Sequence, residues 1–240
     1  MKSEVRGVGG NSFSVMAHDL KEPLSLIRQL ALAQDFENGE TWELMDLRDK
    51  VVKVSEAALR QVNDLLKIAR FSDSLFPMEP VSPRAVCEEV VAEVAEMFRF
   101  NRRELDVAYK NQSRLVVANS ELLSSVVYNF LTNALHYAGE ESISTLKVRD
   151  HLGAVRIDVR DYGPALPIKI WREMQKGFIS APVSIAMRPG SSGLGLYIAS
   201  TFSKYMNAKV GAVRHRDGTS FYVELPVSRQ MELFPETSSK

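Results

Sequence analysis

Cysteine is nearly absent from this chain of 240 residues, with Cys87 its only representative. A single thiol excludes an intrachain disulfide and a cysteine-rich zinc site, and such usage fits a reducing compartment. Cys87 itself reads as a small buried hydrophobe on a helix. Long apolar runs are absent too: none approaches the roughly 20 residues that span a bilayer. The opening MKSEVRGVGG also lacks the apolar core of a secretory signal. No direct membrane insertion is expected, and the expected location is cytoplasmic, either free or as the cytoplasmic portion of a larger, membrane-attached protein. Neither sign of charge is in excess, since Lys plus Arg and Asp plus Glu both number 30. Without a global positive field the chain is not expected to bind nucleic acid, so any charged ligand must be held by a local site.

What is present is an ordinary globular balance, 45% hydrophobic and 25% charged, on a chain long enough for two unequal domains. From Ser12 to about Gln34, residues such as Phe13, Met16, Leu20, Leu24 and Ile27 recur at three-and-four spacing, which predicts a long amphipathic helix. The short polar DFENGE predicts a tight connection, and Thr41 to Phe71 a second arm with Leu47, Val51, Val54, Ala58 and Leu65 on its stripe. Two arms of that length expose too much apolar surface alone. Two hairpins are therefore expected to pair into a dimeric four-helix bundle, making the protein a homodimer. FSDSLFPMEPVSP (71–83) concentrates Pro, Ser and Asp and marks the domain boundary. The expected division is residues 1–76 for the helical hairpin, 77–228 for a second domain and 229–240 for a flexible tail.

Past the boundary the pattern predicts helices over 83–100 and 120–138, the latter capped by Ser120, and a strand over 104–110. STLKVRD and AVRIDVRD predict a hairpin around Gly153. About thirty irregular residues rich in Pro, Gly and Ser then read as a functional lid. A helix from about Leu194 to Met206 and the strands KVGAVRH and SFYVELP, joined by an RDGT turn, complete an α+β chain.

Three clusters could carry chemistry. In NFLTNA, Asn129 and Asn133 lie four apart on a helix, so both carboxamides leave one face. They could ligate a hard cation such as Mg²⁺ or orient water beside a phosphate, or they could be solvated surface residues. In RDYGPALP, Asp161 at a strand end could accept a hydrogen bond from an exocyclic amine, with Gly163 allowing close approach, or it could cap an ordinary turn. In PGSSGLGLYIA, Gly193, Leu194 and Gly195 lead straight into a helix, whose exposed amides and dipole make either a phosphate cradle or merely a glycine turn. The stretch lacks the Lys of a P-loop and does not open a βαβ unit, which disfavours those nucleotide folds.

Paired Asn, strand-end Asp and Gly-rich helix start, in that order, resemble the N box, DxGxG box and GxGLGL box of sensor histidine kinases of two-component systems. HDLKEPL, about 110 residues before the N box, resembles their H box, so the resemblance runs over roughly residues 10 to 227. It implies a dimerisation and phosphoacceptor hairpin followed by an α/β-sandwich ATP-binding domain of the histidine kinase, gyrase and Hsp90 superfamily, using ATP and Mg²⁺. It further implies autophosphorylation of His18 and phosphoryl transfer to an aspartate of a response-regulator receiver domain. By the same resemblance Asn133 is the Mg²⁺ ligand with Asn129 beside it, Asp161 reads adenine, and Gly163, Gly193 and Gly195 shape the pocket. Tyr137 packs against the nucleotide, and Phe178 is the phenylalanine of the lid's F box. Asp19 is placed to accept a proton from one ring nitrogen of His18 and leave the other free for attack.

The chain departs from that family at several positions. Ala165 stands where a second glycine is usual, and its methyl is expected to crowd the nucleotide or restrict the lid. His136 replaces a common Lys or Arg. Glu22, four residues after His18, replaces the Thr or Asn of bifunctional relatives, and little phosphatase activity is expected. The alternative function is a weak or degenerate kinase acting as a dimeric adaptor or inhibitor of a partner.

Overall fold

A computed structural model of the chain describes residues 25–27, 29, 41–69, 75–110, 114–139, 142–168, 171–172, 174 and 193–228. They fall into two units, one helical and one built on a sheet.

The helical unit holds α1 (Thr41–Ala69), the second arm expected from the apolar periodicity. Ser25, Leu26, Ile27 and Gln29 are also helical, and the rest of the first arm lies outside the described residues. Along α1, Ala58 and Asp64 are buried, and the Lys67 ammonium lies 3.2 Å from an Asp64 carboxylate oxygen. A second row on the helix, Val52, Leu59 and Leu66, recurs every seven residues and stays 44%, 62% and 46% exposed. No helix among the described residues is long and apolar enough to cross a membrane.

In the sheet unit, a two-stranded ladder pairs β1 (Glu79–Val81) with β3 (Val116–Ala118). The main sheet holds β2 (Glu104–Lys110), β4 (Ile143–His151), β5 (Ala154–Asp161), β6 (Lys209–His215) and β7 (Gly218–Pro226) in the order β2-β4-β5-β7-β6. The sheet is mixed, with β2 parallel to β4 and the other pairs antiparallel. Among the described residues the unit also holds the helices α2 (Pro83–Phe100), α3 (Ser120–Tyr137) and α4 (Leu194–Tyr205), the last from Gly195 on, and Ile168, Trp171, Arg172 and Met174 are helical too. The fold is α+β, as the sequence pattern indicates.

Alternation along β5 explains the layering. Val155, Ile157, Val159 and Asp161 are buried, while the residues between them are half-buried. The inner face packs on the helices, where Phe130 of α3 stacks on Phe221 of β7 with centroids 5.9 Å apart. The outer face is polar and self-paired: Arg156 bonds Asp158 at 2.8 Å and Glu224 at 3.0 Å, and its guanidinium lies 3.5 Å from the Tyr222 ring centroid. Cys87, fully buried on α2, has its thiol pKa pushed up by burial.

One local reading is corrected. Asn119, not Ser120, caps α3: its backbone is extended, and its side chain accepts from the Leu122 amide at 3.1 Å, leaving Ser120 as the first helical residue. Residues 79–81, within the irregular stretch that marks the domain boundary, are a strand, because β3 supplies a partner for their backbone.

Candidate functional site

α3 carries the first half of the site. Asn129, Asn133 and Tyr137 are spaced by four, so they climb one face at about 6 Å per step. Asn129 is 8% exposed, and its Nδ2 donates to the Ser125 carbonyl at 2.8 Å. That bond fixes the carboxamide with Oδ1 toward the start of α4, where a Cβ on Gly195 would fall 2.6 Å from it. Gly195 is therefore required by the close approach of α4 to Asn129. Gly193, just ahead of the helix, has φ of +73°, a conformation that a residue with a Cβ rarely adopts. Leu194, the first helical residue, is fully buried.

At the upper end of the same face, the turn after β5 comes against Tyr137. A Cβ on Gly163 would collide with the Tyr137 carbonyl oxygen, so only glycine lets this turn approach the end of α3. Asp161 is 1% exposed and one of its oxygens accepts from the Gly163 amide at 3.1 Å. Asp161 therefore caps its own turn, the turn that meets the end of α3. The structure sets Gly195 against the Asn129 side chain in the middle of α3 and the Asp161–Gly163 turn against the Tyr137 backbone at its end, with Asn133 between them on the helix. His18, Asp19, Glu22 and Phe178 lie outside the described residues.

Sequence reading passed over three neighbours. Thr219 pairs with Asp161 across the β5–β7 ladder, and its Oγ1 is buried without a hydrogen-bond partner. Gly218 backs directly onto the Asp161 carbonyl, where a Cβ would clash. The only sequence signal for these two was the RDGT turn. Arg214 donates from Nε to the Leu166 carbonyl at 2.7 Å, across 48 residues of sequence. Ala165, half-buried, is not among the positive-φ residues, so replacing the usual glycine imposes no backbone strain. His136 is exposed and its Nδ1 donates to the Thr132 carbonyl of its own helix at 2.7 Å.

A hard cation and a nucleotide suit these residues. Asn133 has a buried Nδ2 with no protein partner, a donor suited to an oxygen of a phosphate rather than to the cation itself. Among the described residues no three His, Cys, Asp or Glu side chains cluster to hold a metal. A cation here would rest on carboxamide oxygens and on oxygens that its ligand brings.

Residues 118–229, which hold every described member of this site, match the family of histidine kinase-, DNA gyrase B-, and HSP90-like ATPases. A domain of that ATPase family occupies this part of the chain. Over 213 residues the chain is 27% identical to the probable sensor histidine kinase TcrY of Mycobacterium tuberculosis, an alignment covering 88% of this chain and 44% of TcrY. It is 26% identical to the adaptive-response sensory kinase SasA of a Synechocystis species, covering 90% of this chain and 58% of SasA. The chain thus spans about half the length of these curated relatives. Among solved structures it resembles histidine kinase ThkA in complex with response regulator TrrA, with TM-score 0.63 and 18% identity over 91% of this chain and 62% of that one. It also resembles full-length ShkA in complex with AMPPNP, with TM-score 0.59 and 21% identity over 90% of this chain and 46% of that one.

Proposed function

We propose that this chain is the core of an ATP-dependent protein histidine kinase that phosphorylates its own His18 and passes the phosphoryl group to an aspartate of a response-regulator receiver domain. The observation that carries the reading is the α3 face, where Asn129 meets Gly195 at one end and Tyr137 meets the Asp161–Gly163 turn at the other. Separate sequence boxes converge there on one ligand-sized strip.

Each residue has a definite task in this reading. Asp161 accepts a hydrogen bond from the exocyclic amine of adenine, and the unpartnered Thr219 hydroxyl serves the adjacent ring edge. Tyr137 packs against the base, and Phe178 closes over it from the lid. Gly193, Leu194 and Gly195 present backbone amides to the phosphates at the helix start. Asn133, with Asn129 beside it, would hold Mg²⁺, which when bound neutralises phosphate oxygens. Asp19 accepts the proton of one His18 ring nitrogen, and the other nitrogen forms a bond to the γ-phosphorus as the bond to the β-phosphate oxygen breaks and ADP leaves. The phosphohistidine is then attacked by the receiver's carboxylate.

The exposed Val52, Leu59 and Leu66 row supports a homodimer, because heptad spacing is what a facing helix of a second copy would cover. In our reading residues 1–76 form this dimerisation and phosphoacceptor part, 77–228 the ATP-binding part and 229–240 a tail, with the whole core in the cytoplasm. The adaptor alternative leans on Ala165 and on the lid changes; Ala165 sits without backbone strain, and the titration below reads whether its methyl crowds the nucleotide.

Calorimetric titration tests the pocket directly. MgATP should bind and MgGTP should not, Asp161→Asn should abolish the preference, and Asn133→Ala should remove the dependence on Mg²⁺. Equal affinity for ATP and GTP would contradict the adenine assignment.

A further inference from the structure

Arg214 lies on the edge strand β6, yet it reaches into the chain that follows the Asp161 turn. Asp161 pairs with Thr219, and Thr219 pairs with Arg214, so the three form one row across β5, β7 and β6 and project from the same face. The first two members are 1% and 0% exposed. From the third, Nε donates to the Leu166 carbonyl at 2.7 Å. Leu166 itself is 2% exposed, so its side chain anchors the same segment that Arg214 holds by the backbone.

The β6–β7 hairpin grips the Asp161 stretch at two further points. Asp217 bonds Arg160 at 2.9 Å, and Gly218 packs directly on the Asp161 carbonyl. The hairpin therefore fastens Arg160, Asp161 and Leu166 from one side, like a buckle over a strap. Within the strap, Pro164 and Pro167 each fix one φ angle, and Ala165 takes an ordinary one. No freely rotating glycine remains between Gly163 and Ile168.

We propose that Arg214 is a positioning residue for the nucleotide pocket: by holding the Leu166 carbonyl it keeps the Pro164–Pro167 strap in one conformation and so sets nucleotide affinity. The inference rests on the reading of the Asp161 pocket as an ATP site. A charge-assisted bond to a carbonyl fixes the strap in the free protein, so less conformational freedom is lost when the ligand arrives.

The test uses the full chain. Backbone hydrogen exchange at Ala165, Leu166 and Ile168 is measured without nucleotide, and the Kd of Mg²⁺-AMPPNP by calorimetry, in the parent, Arg214→Ala, Arg214→Lys and the double variant Arg214→Ala with Ala165→Gly. Arg214→Ala should speed exchange at those amides and raise Kd about fivefold or more. Arg214→Lys, which keeps a cationic donor within reach of the carbonyl, should recover part of both. Adding Ala165→Gly to Arg214→Ala should change Kd little further, because the strap is already loose. Unchanged Kd beside a parent that binds would overturn this inference alone, even if the melting temperature fell. A parent that binds no AMPPNP would overturn the ATP reading and this role with it.

Discussion

Gly195 in the first turn of α4 lies against Asn129 of α3 so closely that an added methyl would sit 2.6 Å from the Asn129 Oδ1. Alanine is about 1 kcal/mol better than glycine in an open helix position. Here that gain is offset by collision with a carboxamide whose nitrogen is already committed to Ser125. Gly195→Ala is expected to leave the melting temperature within a few degrees of the parent while weakening MgATP binding at least tenfold, as read by calorimetry. Undiminished affinity would mean that the approach of α4 to α3 has no bearing on the ligand.

The fold was legible in the sequence wherever periodicity or local chemistry specified it. α1, α2 and the hairpin of β4 and β5 follow from apolar spacing and turn residues, since those signals are local. β1 and β3 were missed because each is three residues long and gains meaning only from the other. The parallel pairing of β2 with β4 has no local signal either. In the site, the Asn129 and Asn133 spacing, the Asp161 turn and the Gly195 helix start could be read in advance. Thr219 and Arg214 could not: a strand Thr and a strand Arg look ordinary until the ladder sets them beside Asp161 and Leu166.

On α1, Leu59 is the most exposed of the heptad row, at 62%. Leu59→Glu places a charge in the middle of the surface that a second copy would cover. It should shift the chain from dimer to monomer in sedimentation equilibrium while leaving far-ultraviolet circular dichroism of the sheet unit unchanged. A variant that remains dimeric at micromolar concentration would place the dimer contact elsewhere.

His215 gives the pH dependence a definite sign. Partial burial, and then the Arg160 guanidinium, lower its pKa below the ordinary 6.5, against the opposing pull of Asp217, Asp161 and Asp158. Between the lowered folded value and 6.5, the unfolded chain takes up a proton that the folded one refuses. Stability should therefore fall as the pH drops below 6.5 and level off beneath the folded value. His215→Gln keeps a partner for the Ser220 hydroxyl, which the ring meets at 2.8 Å, and removes the titration. Its melting temperature should decline less between pH 7.5 and 5.5 than that of the parent. An equal decline would assign the effect to other groups.

In the proposed reaction a phosphoryl group moves from ATP to His18 through the site on α3. Purified chain incubated with γ-labelled ATP and Mg²⁺, beside His18→Ala and Asn133→Ala, tests it most directly. The parent should carry label that is lost in acid and stable in alkali, and both variants should carry none. Acid-stable label that survives His18→Ala would contradict it.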